Sequence, residues 1–159
     1  MSLKEYWIDC SKGDALGFFW LMYCLRCKSK GILKSLCTFL MCRSANAHGG
    51  YVGPGAEFAS RPSLPHGLHG VFISRYAKIG YDCRIYQNVT IGEVDGQAPR
   101  IGDGVLIGAG AIIVGGINIG SYSRIGAGAV ISRDIPAGTT AVASGTRLII
   151  VADKEGTQV

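Results

Sequence analysis

Two histidines stand three residues apart in a segment rich in glycine and proline, Pro65-His66-Gly67-Leu68-His69-Gly70. A neutral imidazole accepts a proton near pH 7, so either ring has the chemistry of a general base. We expect side chains on such a loop to be free of packing duty and available for function. The alternative is a structural role, in which a ring caps a turn or hydrogen-bonds a carbonyl. The third histidine, His48, lies in Ala-His-Gly-Gly and is predicted to be a loop residue.

The cysteines are the second group that could do chemistry, since five of the six lie within residues 10–42. Cys24, Cys27, Cys37 and Cys42 supply four thiols, the number that tetrahedral zinc requires. Their spacing does not fit a compact zinc ribbon or knuckle, and apolar residues alternate with them as on packed helices. We therefore expect free thiols and no metal.

An isoleucine repeat with a period of six predicts the element that positions the histidines. No α-helix or ordinary sheet needs this period, whereas a β-solenoid returns the same residue to its axis on every short strand. Small or slim side chains two residues earlier supply a second inward position. Two longer steps interrupt the repeat, by three extra residues between Leu64 and Ile73 and by four within Gly92–Arg100. The isoleucines are Ile73, Ile79, Ile85, Ile91, Ile101, Ile107, Ile113, Ile119, Ile125 and Ile131.

The residues before the repeat are predicted to be helical. Leu16, Phe19, Trp20 and Tyr23 mark one apolar face, and Lys28–Gly31 is the expected turn before a second helix. We expect this pair to cap the open end of the solenoid, because a terminal coil must hide its last apolar layer. Peripheral membrane contact is the alternative, since the segment is basic, aromatic and amphipathic.

The net charge of +5 is concentrated near the N-terminus. Residues 1–50 hold seven Lys/Arg and three Asp/Glu, whereas residues 51–159 hold nine and eight. A nearly neutral repeat region argues against a nucleic-acid partner. The longest apolar run, Ala15–Leu25, is too short to span a bilayer and lacks the basic flank of a secretory signal. Together with free thiols, these features favour an intracellular, cytoplasmic protein.

Over residues 51–150 the repeat resembles that of the hexapeptide-repeat acyltransferases. Three stretches are similar to the serine acetyltransferase branch, namely Gln87–Gly92, Ile107–Ala111 and Ile125–Val130. The resemblance implies a mainly β fold, a left-handed parallel β-helix of hexapeptide repeats with a short N-terminal α-helical cap. The implied domains are a helical segment (1–48), a β-helix acyltransferase domain (49–150) and a polar C-terminal tail (151–159).

The same resemblance implies an acetyl-CoA-dependent O-acetyltransferase that forms a homotrimer, with acetyl-CoA between neighbouring subunits and no metal. The family's catalytic histidine falls on His66, with His69 as competitor because the three extra residues make the alignment ambiguous. A hexapeptide-repeat carbonic anhydrase is rejected, because its zinc needs three histidines and the repeats hold two. The family's cofactor-binding positions fall on Gly92, Ala109, Ala127 and Arg147.

Two departures from serine acetyltransferases concern the acceptor. Those enzymes use one aspartate to orient the imidazole and another to meet the amino-acid substrate, and these positions are Tyr51 and Pro65 here. Glu57 replaces the first only if it reaches across a coil. We therefore predict a small-molecule acceptor, a sugar or polysaccharide hydroxyl. The alternatives are serine O-acetylation, as in cysteine biosynthesis, and a non-catalytic β-helix scaffold.

Overall fold

The computed structural model describes residues 16–144 of the 159-residue chain. In this part, two α-helices, α1 (Gly17–Lys28) and α2 (Gly31–Ala47), precede thirteen strands of two or three residues. The strands pair in parallel and form three sheets, named here faces 1, 2 and 3. Successive strands along the chain lie on different faces, so the chain winds as a three-sided β-helix.

The members of each face follow in chain order. Face 1 consists of β1 (Tyr51–Val52), β3 (Phe72–Ile73), β6 (Thr90–Gly92), β9 (Ile112–Val114) and β12 (Val130–Ile131). Face 2 consists of β2 (Glu57–Phe58), β4 (Lys78–Ile79), β7 (Arg100–Ile101) and β10 (Asn118–Ile119). Face 3 consists of β5 (Arg84–Ile85), β8 (Leu106–Ile107), β11 (Arg124–Ile125) and β13 (Thr140–Ala141).

The isoleucine repeat fills the axis of the β-helix. Register pairs stack Ile73 on Ile91 and Ile91 on Ile113 along face 1, and all ten isoleucines of the repeat are buried. The predicted second inward position is also confirmed, since its seven side chains are fully buried. These are Ala77, Cys83, Val89, Val105, Ala111, Ser123 and Ala129. Alternating large and small side chains therefore pack the narrow prism.

Two of the three edges of the prism require a left-handed backbone. On faces 1 and 3, the residue three positions before each inward strand residue has a positive φ, and most of these positions are glycine. The exceptions are Asp82, Asn88 and Tyr122, with φ values of 50°, 58° and 59°. Aspartate and asparagine tolerate this conformation through local hydrogen bonds, whereas a tyrosine there carries a cost of about 1–2 kcal/mol.

The helices cover the first coil. Trp20 and Tyr23 of α1 make edge-to-face contacts with Phe58 of β2, at centroid distances of 5.4 Å each. The Tyr23 hydroxyl donates to the Ala56 carbonyl at 3.1 Å and accepts from the Phe58 amide at 3.3 Å. His48 ends α2, with its Nδ1 2.7 Å from the Ser44 carbonyl oxygen. The predicted cap is therefore observed.

The ten-residue step in the repeat is a short hairpin. Val94 and Gln97 pair in antiparallel fashion, and Asp95 and Gly96 between them both have positive φ values of 52° and 74°. This is the two-residue turn that Asp-Gly favours. The hairpin leaves the edge between faces 1 and 2, directly after β6.

The predicted fold class, a mainly β parallel β-helix with a short helical cap, is confirmed. Within residues 16–144, neither helix has the length and apolarity that a membrane crossing requires. The three-part division at residues 48 and 150 stays a prediction.

Candidate active site

The bulge that holds both histidines leaves the edge between faces 3 and 1, called edge 3/1 here. Its Leu68 side chain is fully buried in the core, whereas His66 and His69 are exposed. The Val71 amide donates to the Leu68 carbonyl at 3.0 Å, and the Asn88 amide of the next coil donates to the His69 carbonyl at 2.9 Å. The expectation that side chains of this loop do not pack in the core was therefore wrong for Leu68. This residue lies between the two histidines and anchors the bulge to the core.

The ring of His69 is held by the backbone of His66. Its Nδ1 lies 2.6 Å from the His66 carbonyl oxygen. A carbonyl only accepts hydrogen bonds, so Nδ1 carries the proton and the neutral ring keeps its lone pair on Nε2. The structural role that the sequence left open, a ring bonded to a carbonyl, is thus observed for His69. The same contact leaves Nε2 of this exposed side chain with the lone pair that a general base needs.

His66 is positioned by packing. Its ring lies 6.0 Å from the Tyr86 ring, centroid to centroid, at an interplanar angle of 48°. Tyr86 follows β5 directly, so the next coil supports the His66 ring from one side. Glu57, the carboxylate considered as an orienter, lies on face 2 and pairs with Lys78 at 2.9 Å. Within one subunit Glu57 therefore has a partner other than a histidine.

Ala109 and Ala127 lie on edge 3/1 with the bulge. The Asn88 amide donates to the His69 carbonyl, and one and two coils further the equivalent bonds run from Gly110 to Gln87 and from Gly128 to Ala109. His69, Gln87, Ala109 and Ala127 therefore occupy matching corners in four successive coils. Ala109 is partly exposed and Ala127 is exposed, so small side chains line this edge beyond the Gln87 coil.

Gly92 lies on a different edge of the prism. It ends β6 and opens the hairpin between faces 1 and 2, where a Cβ would approach Val114 Cγ1 to 3.1 Å. A shallow groove of about 310 Å³ runs beside it on face 1, and Tyr51 and Phe72 contribute to its lining. Ser74 donates a hydrogen bond to the Glu93 carboxylate at the rim of this groove. Sequence reasoning missed this pair, because neither residue stands in a motif.

Two further predictions concern cofactors. Arg147, the fourth predicted cofactor-binding position, lies outside the described residues. Across residues 16–144, no group of three or more His, Cys, Asp or Glu side chains is arranged to hold a metal ion. Of the four clustered cysteines, Cys37 is buried, Cys42 is half-buried, and Cys24 and Cys27 are exposed.

A comparison of the sequence with known protein families agrees with the repeat structure of the β-helix. Residues 98–133, which include β7 to β12, match the family described as bacterial transferase hexapeptide (six repeats). Over these residues the chain is therefore similar to the hexapeptide-repeat transferases. The resemblance of this hexapeptide β-helix to acyltransferases of the serine acetyltransferase branch is likewise confirmed by its relatives.

Curated relatives and solved structures point to one group of proteins. The serine acetyltransferases of Synechococcus elongatus and Helicobacter pylori are 40% and 39% identical over 102 residues, which is 62% of this chain in each case. These segments make up 41% and 59% of the relatives. The Entamoeba histolytica serine acetyltransferase isoform 3 in complex with cysteine is 31% identical with a TM-score of 0.71, covering 86% of this chain and 49% of the other. The soybean apoenzyme is 34% identical with a TM-score of 0.69, with coverages of 88% and 55%. The chain thus spans about half the length of the proteins that it matches.

Proposed function

We propose that the protein is an acetyl-CoA-dependent O-acetyltransferase that uses the histidine bulge as its source of a general base. The observation that carries this proposal is the shared position of the bulge, Ala109 and Ala127 on one edge of a hexapeptide β-helix. An exposed imidazole meets the acceptor hydroxyl there, and small side chains leave backbone groups open to an extended thioester. Gly92 and Arg147 complete the proposed cofactor positions.

The proposed reaction transfers the acetyl group directly. The imidazole of His66 takes the proton from the acceptor hydroxyl as the oxygen attacks the thioester carbonyl carbon. The tetrahedral intermediate collapses, the carbon–sulfur bond breaks, and the imidazolium returns its proton to the departing CoA sulfur. The imidazole is thus regenerated in its neutral form, and no covalent acetyl-enzyme is needed. His66 is the first candidate because the resemblance aligns it with the family's histidine, and His69 is the second because its tautomer leaves Nε2 free to accept a proton.

L-Serine is the first acceptor to test. The expectation of a sugar hydroxyl rested on the absence of carboxylates at Tyr51 and Pro65, and the comparisons do not support it, since the relatives named above are serine acetyltransferases. A sugar hydroxyl remains the second candidate on one observation, namely that Glu57 is bound to Lys78 on face 2. Within one subunit Glu57 therefore does not replace the aspartate that orients the imidazole in the serine enzymes, and Pro65 stands at the position of the other aspartate.

A trimer is part of the proposal, and face 1 supports it. The outward residues of face 1 stack in register as Tyr51, Phe72, Thr90, Ile112 and Val130, and three of these are exposed large apolar side chains. The outward residues of face 2 are instead charged or polar, such as Lys78 and Arg100. An apolar ladder on one face of three fits burial against a neighbouring subunit. A cytoplasmic location completes the proposal.

The experiment measures CoA release from acetyl-CoA with L-serine and with a panel of sugars and oligosaccharides. We expect His66→Ala to lower kcat by about a hundredfold or more while acetyl-CoA affinity stays near wild type. His48→Ala is the matched control for the loss of an imidazole outside the bulge, because His48 ends α2 and its ring bonds the Ser44 carbonyl. We expect this variant to keep wild-type turnover. Normal turnover in His66→Ala together with an inactive His69→Ala would move the base to His69. A protein that neither binds nor turns over acetyl-CoA would be a scaffold.

A further inference from the structure

The helical cap has a second apolar surface that the β-helix leaves uncovered. One side of the pair is buried, with Phe19 of α1 and Met41 of α2 fully inside the core. On α1, a further stripe with helical spacing is exposed and consists of Phe18, Leu21 and Leu25. On α2, the corresponding exposed stripe consists of Ile32, Leu33, Leu36 and Phe39. We call these two stripes together the outer stripe. Clustered exposed side chains of this size mark a binding surface.

The turn between the two helices adds positive charge to the outer stripe. Lys28, Lys30 and Lys34 are exposed within seven residues of each other, and Ile32 between them is 90% exposed. Residues 16–50 contain five Lys/Arg and no Asp or Glu. Apolar and cationic side chains therefore share the tip of the helix pair, and no carboxylate in this segment competes for the cations.

From this arrangement we propose that the tip of the helix pair docks on an anionic lipid surface. Interfacial helices combine leucine and phenylalanine, which enter the acyl boundary, with lysine and arginine, which meet anionic headgroups. The outer stripe supplies the apolar component and the lysines at the tip supply the cationic one, with Ile32 and Leu33 between Lys30 and Lys34 in the sequence. The helices lie on the surface rather than cross it, since neither is long and apolar enough to span.

A second copy of the chain fits the charge less well than a lipid surface does. A second copy that used the same tip in a two-fold contact would bring the lysines of both copies together, which costs free energy. The repeat region of another copy is nearly neutral, with nine Lys/Arg and eight Asp/Glu over residues 51–159, and offers no general anionic surface. Residues 1–15 are the remaining possible cover. Both alternatives are outcomes of the test.

The test is co-sedimentation of the full chain with vesicles of phosphatidylcholine alone or with about 30 mol% phosphatidylglycerol. We expect binding to the anionic vesicles, weaker binding to the neutral ones, and release at about 0.5 M salt, where charge interactions are screened. The triple variant Lys28→Gln, Lys30→Gln, Lys34→Gln should lower the partition coefficient on the order of a hundredfold. Ile32→Ser with Leu33→Ser should lower it about tenfold or more.

Matched controls distinguish vesicle binding by this surface from nonspecific electrostatic and hydrophobic binding. The single variants Lys34→Gln and Ile32→Ser are compared with Arg133→Gln, which removes one exposed cation elsewhere, and with Val142→Ser, which removes one exposed apolar side chain elsewhere. Both controls should bind vesicles as the wild type does. CoA release with a soluble acceptor should be the same in all these variants, so a failure of the proposed acetyl transfer is seen separately.

Three results would overturn the proposal. One is absence of vesicle binding by the full chain, or equal binding by the tip variants and the controls. Another is a fall in particle mass in analytical ultracentrifugation for Ile32→Ser, Leu33→Ser with vesicle binding unchanged, which would assign the outer stripe to a second copy. The last is a wild-type protein that does not bind vesicles, combined with a lower melting temperature for Ile32→Ser, Leu33→Ser. This result would assign the outer stripe to residues 1–15.

Discussion

Replacing Gly70 by alanine tests whether edge 3/1 positions the histidine bulge. Gly70 has a φ of +65°, and a Cβ there would overlap the Asn88 side-chain oxygen and lie 3.0 Å from Asn88 Cγ and 3.1 Å from its Cα. Gly128 stands on the same edge with a φ of +67°, but its added Cβ would meet nothing within 4 Å. The two substitutions therefore share the cost of a left-handed alanine and differ in the clash with Asn88.

The magnitudes follow from these two contributions. Gly128→Ala should lower the free energy of unfolding by about 1–2 kcal/mol, the cost of a left-handed residue that carries a Cβ. Gly70→Ala adds the displacement of Asn88, about 1–3 kcal/mol for overpacking. It also weakens the bond from the Asn88 amide to the His69 carbonyl, whose net value is about 1 kcal/mol. We expect a total loss of about 3–5 kcal/mol for Gly70→Ala, together with lower turnover.

Urea denaturation at one fixed protein concentration measures both losses, since the stability of an oligomer depends on concentration. Adding Asn88→Gly to Gly70→Ala removes the clash with the side chain and places a glycine at the left-handed position 88. We therefore expect much of the additional loss in unfolding free energy to be recovered. Gly70→Ala should also lower CoA release more than Gly128→Ala does. Equal losses in the two alanine variants, or no recovery with Asn88→Gly, would refute this account of the edge.

Two further substitutions test the cap and the strained corner. Burial raises the pKa of Tyr23 to about 12, with the nearby Cys27 thiol adding to the shift, so the neutral phenol is favoured in the folded state. This stabilisation is complete below pH 10 and is lost as the pH rises towards 12, so the wild type should lose unfolding free energy over that range more steeply than Tyr23→Phe. At pH 7 Tyr23→Phe should cost about 1 kcal/mol for the lost bond to the Ala56 carbonyl, and equal slopes at alkaline pH would contradict the linkage. Tyr122→Gly should raise the free energy of unfolding by about 1 kcal/mol, because Tyr122 is 73% exposed and left-handed. The Tyr122 ring covers Gly104, where an added Cβ would lie 2.6 Å from Tyr122 Cδ1, so a denaturation midpoint that falls in Tyr122→Gly would show instead that this packing stabilises the corner.

The period of the repeat was sufficient to predict the core of the β-helix. Every inward isoleucine and every small residue two positions earlier is buried, because a two-residue strand permits one inward side chain and each corner permits one more. The period did not predict which edges are left-handed. Corner residues such as Asp82 and Tyr122 differ in chemistry although their φ values are alike, so residue type at the corner carries little information on its own.

The site was less predictable than the fold. The sequence placed His66 and His69 in one loop, but the bond between the His69 ring and the His66 carbonyl depends on the path of the turn around the buried Leu68. The predicted cofactor positions also separate in space, because Gly92 lies on one side of face 1 while Ala109 and Ala127 lie on the other. The repeat period predicts the face of the β-helix on which each residue lies. It does not predict contacts between loops that project from different edges.

Face 1 connects the proposed trimer to the proposed chemistry. The histidine bulge leaves one edge of this face, the Gly92 hairpin leaves the other, and the apolar ladder from Tyr51 to Val130 lies between them. A neighbouring subunit that buries the ladder must also approach one of these edges, because strands of two or three residues make the face narrow. The subunit boundary then excludes water from the imidazole and the thioester at the same time, which strengthens the hydrogen bonds and charges of the reaction. Substitution of an apolar ladder residue such as Ile112 by serine should therefore lower particle mass and CoA release together, although Ile112 belongs to neither loop. Loss of mass with unchanged turnover would place the whole active site within one subunit.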